Sequence, residues 1–282
     1  MEVKKDIEGK YDKRNKLNDL TGKEWLKLTC SFWFSEKCAD DKDAFKHPAP
    51  FLIKDIQKLI SLFSKKGMRI LDPFCGSATS LLASSYMGRY GIGIDLNSGY
   101  KELAKERLSK KGFEEFTHYE YHIGDSKDLL DNIINIDYII TSPPYHNILQ
   151  NKGAGLRKES QKGYRNGSRI GIDYYSDMPN DLGNKKSYED FLESLKAIMS
   201  KCFNVLNNKK YCSIIISDFT VDKKEVCVQG DVVRMMQEIG FEFVGTIAIF
   251  QSNKPLYPFG YPYTYKINHH HQNIINFRKV AK

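Results

Sequence analysis

Met68-Arg69-Ile70-Leu71, running into Asp72-Pro73-Phe74-Cys75-Gly76-Ser77-Ala78-Thr79-Ser80, is the stretch whose reading decides the fold. A short apolar strand meets a turn holding one glycine, and Leu81-Leu82-Ala83 then open a helix. A second strand, Tyr90-Gly91-Ile92-Gly93-Ile94, ends at Asp95, about twenty residues beyond the turn, where a carboxylate can accept from ribose hydroxyls. Strand, turn, helix and strand in that order predict an α/β, Rossmann-like unit with its ligand at the carboxyl ends of the strands. The turn does not fit a dinucleotide, because G-x-G-x-x-G needs three glycines where this turn has one. Gly88, Gly91 and Gly93 have the reverse spacing and precede a strand, so they read as turn and close packing. The P-loop pattern is absent from the sequence.

Further along, Ile136-Asp137-Tyr138-Ile139-Ile140 predicts a buried strand, with Thr141-Ser142-Pro143-Pro144-Tyr145 at its carboxyl end. Proline fixes φ and lacks an N–H, so the turn offers carbonyl oxygens as acceptors on a stiff frame. A planar amine donor fits that frame, with Tyr145 stacking on its ring. Taken alone, the segment suits equally a plain turn whose Pro-Pro ends the strand. Apolar residues at helical spacing over Phe51–Phe63 predict a helix that delivers His47-Pro48-Ala49-Pro50-Phe51 to the first strand's tip. Tyr100, Ala104 and Leu108 mark another helix face, and His118–Ile123 a third strand that ends at Gly124-Asp125. Tyr188–Leu206 and Val232–Ile239 read as helices, Tyr211–Ile216, Phe241–Phe250 and Gln272–Arg278 as strands. There is no internal repeat.

Asp72–Thr79, Gly93-Ile94-Asp95-Leu96, Gly124-Asp125 and Thr141–Tyr145, in that order, resemble the motifs of the S-adenosylmethionine-dependent DNA amino-methyltransferases. That family methylates N4 of cytosine or N6 of adenine. The segment His47–Phe51 resembles the short motif that precedes the cofactor turn there and helps hold the methionine end of the cofactor. The resemblance implies a seven-stranded, mainly parallel sheet with helices on both faces and the last strand antiparallel. It implies S-adenosylmethionine as cofactor, held by His47, Pro48, Phe51, Asp72, Phe74, Gly76, Ser77, Thr79, Asp95, Leu96, Asp125 and Thr141. Within that set Asp95 takes the ribose hydroxyls, and Asp125 lies near the adenine amine. Ala78 stands where the family usually has glycine; the side chain stays small, so cofactor binding is expected to survive. Serine at the head of Ser142-Pro143-Pro144-Tyr145 is more usual in cytosine-N4 enzymes, aspartate in adenine-N6 enzymes.

The chemistry accounts for these residue types. An exocyclic amine is conjugated with its ring and is a poor nucleophile until hydrogen bonds draw its protons toward tetrahedral geometry. By the resemblance, Ser142 Oγ and the Pro143 carbonyl accept those protons, on a turn stiffened by Pro144. A base inside a duplex must first be flipped out, and Tyr145 gives it an aromatic face. Catalysis is then mainly positioning, and no metal is required.

The chain has 282 residues and a net charge of +8. Its expected organisation is an N-terminal arm and packing segment over 1–45 and a methyltransferase domain over 46–282. A basic, DNA-contacting loop over 146–186 follows the catalytic turn. Positive charge favours a polyanion but by itself speaks to solubility and non-specific binding. Its distribution says more, because Lys152, Arg157, Lys158, Lys162, Arg165 and Arg169 face only Glu159 across residues 146–170, a local net charge of +5. These six are the expected DNA contacts; a solvated surface loop is the other reading. Residues 1–23 read as a mobile arm or short helix able to touch DNA, and Trp25, Phe32, Trp33 and Phe34 as packing over the cofactor pocket ahead of a stacking platform. Six cysteines without a C-x-x-C pair, a polar start and no apolar run of membrane length predict a cytoplasmic protein with no membrane partner. His269-His270-His271 lacks a Cys or carboxylate at ligand spacing, so no metal site is expected. Tyr257–Tyr263 reads equally as a rigid loop near the base pocket or a hairpin over the core.

The expected protein is therefore a site-specific methyltransferase of double-stranded DNA, with cytosine N4 ahead of adenine N6. A homodimer and a companion restriction nuclease are both compatible with the resemblance. An RNA N-methyltransferase shares the Pro-Pro-Tyr turn but usually carries a separate RNA-binding module, and none is recognisable. A small-molecule methyltransferase has no use for the basic loop. A non-catalytic DNA-binding protein would be expected to lose Asp95 or the Ser142–Tyr145 turn, and both are present.

Overall fold

The computed structural model describes residues 9–146, 175–222, 224–252 and 254–280. The first half runs α1 (Gly22–Leu28), β1 (Phe32–Phe34), α2 (Ile53–Phe63), β2 (Arg69–Asp72), α3 (Thr79–Tyr86) and β3 (Tyr90–Asp95). It continues through α4 (Ser98–Ser109), β4 (Tyr119–Ile123), α5 (Ser126–Leu129) and β5 (Ile136–Thr141). The second half holds α6 (Tyr188–Val205), β6 (Leu206–Ile216), β7 (Phe219–Val221), β8 (Lys224–Val226), α7 (Val228–Ile239), β9 (Phe241–Phe250) and β10 (His271–Lys279). Eight strands form one sheet in the order β1-β9-β10-β6-β5-β2-β3-β4, and β7 and β8 form a separate small hairpin.

All seven expected strands are present, and the last, β10, is antiparallel to both β6 and β9. The sheet nevertheless has eight strands. The addition is β1, which pairs parallel with the outer edge of β9, Trp33 opposite Ile249. This corrects the expectation for the aromatic N-terminal segment. Instead of covering the cofactor strands, Phe32–Phe34 extend the sheet at the opposite edge, and Trp33 is buried there beside α2. Three residues between exposed neighbours are too short for alternation to register as a strand. Residues from Gly9 onward are also tied down: Asn18 is buried and donates to the Leu62 carbonyl at 2.7 Å, and Asp19 pairs with buried Arg89 at 3.2 Å.

Helices cover both faces, so the central strands are buried on both sides and read as continuous apolar runs. One core layer joins α6 and α7 to the sheet through Leu195, Met199, Val232 and Met236. The other joins α2, α3 and α4 through Ile56, Leu59, Leu81 and Leu108. Close packing explains the glycines of β3: a Cβ on Gly91 would lie 3.1 Å from the Leu81 backbone, and one on Gly93 2.5 Å from Cys75 Sγ. Both positions let α3 and the preceding turn settle directly on the sheet. Among the described residues no helix is long and apolar enough to cross a membrane.

Candidate active site

The order β5-β2-β3-β4 brings the Asp72–Thr79 turn, Asp95, Asp125 and the Thr141–Tyr145 turn to one edge, the carboxyl ends of four adjacent parallel strands. Asp72 is buried at the end of β2 and binds inward. Its carboxylate accepts from Thr141 Oγ1 at 2.7 Å, Ser80 Oγ at 2.5 Å and Phe74 N at 3.1 Å, so it ties the first turn to the second. Burial pushes its pKa up to about 6, against the pull of those three donors.

Asp95, at the tip of β3, faces the turn. It accepts from Gly76 N at 2.7 Å and Asn97 N at 2.9 Å, and burial pushes its pKa up to about 6 as well. Each carboxylate oxygen keeps a further acceptor site for a ligand hydroxyl. Gly76 has φ +50°, and a Cβ there would come within 2.8 Å of His47 Nε2. Only a bare backbone fits between that ring and the cleft. Burial pushes the His47 pKa down to about 4, so the ring is neutral at pH 7, and its Nδ1 accepts from Ala49 N at 3.2 Å. Its ring packs 4.6 Å from that of Tyr100. The His47–Phe51 segment thus meets the turn where the helix α2 expectation put it.

Asp125 caps α5 through Lys127 N at 2.8 Å and accepts from Asn180 Nδ2 at 2.9 Å. Asn97 Nδ2 donates to the Tyr175 carbonyl at 3.0 Å, and the Tyr175 ring lies 6.0 Å from that of His47. Residues 175–186 therefore lie across the strand tips, and an open cleft of about 760 Å³ lies beside α4, between Lys46, Asn97, Glu102, Glu106 and Tyr175, without Asp72, Asp95, Asp125 or Ser142 in its lining. Lys152, Arg157, Lys158, Lys162, Arg165 and Arg169, expected to contact DNA, lie outside the described residues.

The Ser142–Tyr145 turn is held from the neighbouring strands β6 and β10 at the same edge of the sheet. Tyr145 stacks on Phe219 with ring centroids 5.6 Å apart. Its hydroxyl accepts from Ser217 N at 3.0 Å and from Gln272 Nε2 at 3.1 Å, and Gln251 Nε2 donates in turn to Gln272 Oε1 at 3.0 Å. Burial raises the Tyr145 pKa against hydrogen bonds from Gln272, Ser217 and Ser142. The tyrosine is a neutral, fixed ring. Residues that sequence reasoning missed hold the Asp72–Thr79 turn. Buried Arg107 on α4 donates to the Ser77 carbonyl and to Thr79 Oγ1 at 3.1 Å, and Tyr121 Oη donates to the Gly76 carbonyl at 2.7 Å. Their partners, two carbonyls and a hydroxyl, lie far away in the chain and leave no local pattern to read. Near the C-terminus, His269 Nε2 lies 2.7 Å from Glu225 Oε1, and among the described residues no three His, Cys, Asp or Glu side chains gather as metal ligands.

An anchored glycine turn, a carboxylate on the next strand's tip and a Ser-Pro-Pro-Tyr turn on a third strand define a Rossmann-like protein of methyltransferase architecture. The family model described as DNA methylase matches residues 2–106 and 136–282, and the chain belongs to that family. Type II methyltransferase M.HpaI of Haemophilus parainfluenzae is 35% identical over 102 residues, 36% of this chain and 32% of that protein. A tRNA (guanine(10)-N2)-dimethyltransferase of Methanothermobacter thermautotrophicus is 35% identical over 106 residues, 37% of this chain and 30% of that protein. The matched stretch thus spans about a third of each of these relatives. TrmN from Thermus thermophilus shares the fold, with a TM-score of 0.54 at 15% identity over 86% of this chain and 52% of that one.

Proposed function

We propose that the protein methylates the exocyclic amine of a base flipped out of double-stranded DNA, N4 of cytosine ahead of N6 of adenine, using S-adenosylmethionine. The observation that carries this reading is the tie from Asp72 to Thr141, which sets the cofactor turn and the Ser142–Tyr145 turn side by side. The residues present fit an adenosyl cofactor: Asp95 keeps free acceptor sites beside a turn whose Gly76 backbone packs against His47 with no space for a Cβ. When bound, that cofactor supplies an electrophilic methyl group on a sulfonium. Asp95 accepts from its ribose hydroxyls, Asp125 from its adenine amine, and His47, neutral, backs the turn. Ser142 Oγ and the Pro143 carbonyl accept hydrogen bonds from the two N–H groups of the target amine and localise its lone pair. Tyr145, with one face on Phe219, offers the other to the base.

A specific observation favours a second reading, methylation of RNA, since one relative of equal identity is named for a tRNA dimethyltransferase. Expression in a host free of DNA methylation, followed by methylome sequencing of DNA and mass analysis of tRNA, separates the readings. N4-methylcytosine or N6-methyladenine at one sequence motif supports the first; modified tRNA with unmodified DNA overturns it. Ser142→Ala and Tyr145→Ala are expected to lower methyl transfer about a hundredfold, the order of loss for a misplaced reacting group, with cofactor affinity by calorimetry little changed. Tyr145→Phe should fall between, because it keeps the ring and loses the bonds to Ser217 and Gln272.

A further inference from the structure

The connection from β9 to β10 ends in three tyrosines whose rings the fold leaves outside. Tyr261, Tyr263 and Tyr265 are 81%, 90% and 89% exposed, and Leu256 beside them is 75% exposed. Single exposed apolar residues need no explanation, but a cluster of large ones marks an interaction surface. The loop beneath them is built. Asn268 bonds to Tyr257 in both directions, donating from Nδ2 to its carbonyl at 2.8 Å and accepting from its N–H at 3.0 Å. Gly260, at φ +78°, closes the tip against Thr264, whose N–H donates back to its carbonyl at 2.7 Å. Rings presented on a pre-formed turn lose little entropy when they bind.

Its placement identifies the partner. Because β10 is antiparallel to β6, and β6 parallel to β5, the loop leaves the sheet at the same edge as the Ser142–Tyr145 turn. Of its roots, Gln272 donates to the Tyr145 hydroxyl and Gln251 donates to Gln272. No aspartate or glutamate occurs after Glu242, exposed Lys266 stands among the tyrosines, and Glu225, which reaches the connection, is paired with His269. A polyanion with flat aromatic groups suits an acid-free cluster of phenol rings better than a protein surface does.

We propose that Tyr261, Tyr263 and Tyr265 form a stacking platform for bases of the target DNA strand that have lost a stacking neighbour. This rests on the DNA reading above. Flipping leaves neighbouring bases with exposed faces, and each ring offers a sequence-tolerant surface to one of them.

The test compares the full-length protein with a triple serine variant (Tyr261→Ser, Tyr263→Ser, Tyr265→Ser) and a triple phenylalanine variant. Fluorescence anisotropy is read with a labelled single-stranded oligonucleotide and with the fully paired duplex of the same sequence. The serine variant should lose at least about tenfold in affinity for the single strand, the lower range for lost stacking on several bases, with far less change on the duplex. The phenylalanine variant should bind both like the wild type, and all three proteins should melt at similar temperatures. Equal affinity of the serine variant and wild type for the single strand overturns the platform while leaving the DNA reading standing. Loss of a wild-type dimer in the serine variant, with unchanged DNA binding, overturns it in favour of a protein interface. A wild type that binds neither DNA overturns the platform together with the DNA reading.

Discussion

Asp95 carries the clearest pH signature. Burial lifts its folded pKa to about 6 from an ordinary value near 3.8, with neighbouring Asp72 adding to the rise. A raised carboxylate pKa means that the folded chain holds the proton more tightly than the unfolded one between those values. The contribution of this group to stability is greatest at low pH and declines as pH rises from about 4 through about 6. Ribose hydroxyls donate to the charged form, so cofactor binding should release a proton near pH 6. Affinity for S-adenosylmethionine should rise about tenfold from pH 5 to pH 7, as single-proton linkage requires, when followed by calorimetry; a flat profile would count against Asp95 as the ribose acceptor. Ala78 raises a different question, because it caps α3 at φ +61°, in the left-handed region. Replacing it by glycine relieves about 1–2 kcal/mol of strain. Against that stand about 0.8 kcal/mol of lost methyl burial and about 0.4–1 kcal/mol of added unfolded-state entropy. Ala78→Gly is therefore expected to be near neutral, whereas Ala78→Val should lose more than about 2 kcal/mol in denaturant melts.

At the level of elements, α4 does more than cover β3 and β4. Arg107 reaches from its last turn to the Ser77 carbonyl and Thr79, and its Nε and Nη2 have no hydrogen-bond partner although the side chain is buried. A charge held this way costs desolvation, which also lowers its pKa, and its return is a fixed cofactor turn. Arg107→Met removes charge-assisted bonds worth about 1.5–3 kcal/mol and a desolvation penalty of similar size. Stability should stay within about 2 kcal/mol of wild type while S-adenosylmethionine affinity drops severalfold, checked by thermal melts and calorimetry. An unchanged affinity would make Arg107 a packing residue only. His146 Nε2, just after the Ser142–Tyr145 turn, bonds to the Lys185 carbonyl at 3.0 Å and ties that turn to residues 175–186.

For the whole molecule, a net charge of +8 predicts DNA affinity that falls steeply with salt. Charge reversal of Arg157, Lys158, Lys162 and Arg165 to glutamate should flatten the slope of log affinity against log salt by about 0.9 for each lost phosphate contact. Cofactor affinity should not follow. Anisotropy across a salt series for wild type and the quadruple variant decides it, identical slopes placing the phosphate contacts elsewhere.

Much of the fold was legible in the residues alone. Seven strands and the helices between them announced themselves, because elements buried on both faces need long apolar runs that nothing else in the chain imitates. Ser142-Pro143-Pro144-Tyr145 and the Asp72–Thr79 turn were legible as stiff or bare backbone at a strand's tip, but as an expected site only through the resemblance of the ordered set to a family. The eighth strand was not, for three residues with exposed neighbours carry no periodicity, and their pairing with β9 depends on a partner more than two hundred positions away. Nor could any local pattern show that Asp72 would turn inward to Thr141, that Arg107 would grip Ser77, or that Gln272 would hold Tyr145. Each of those bonds joins distant residues, usually to a backbone atom or common polar group, and only the packed sheet brings the partners within reach.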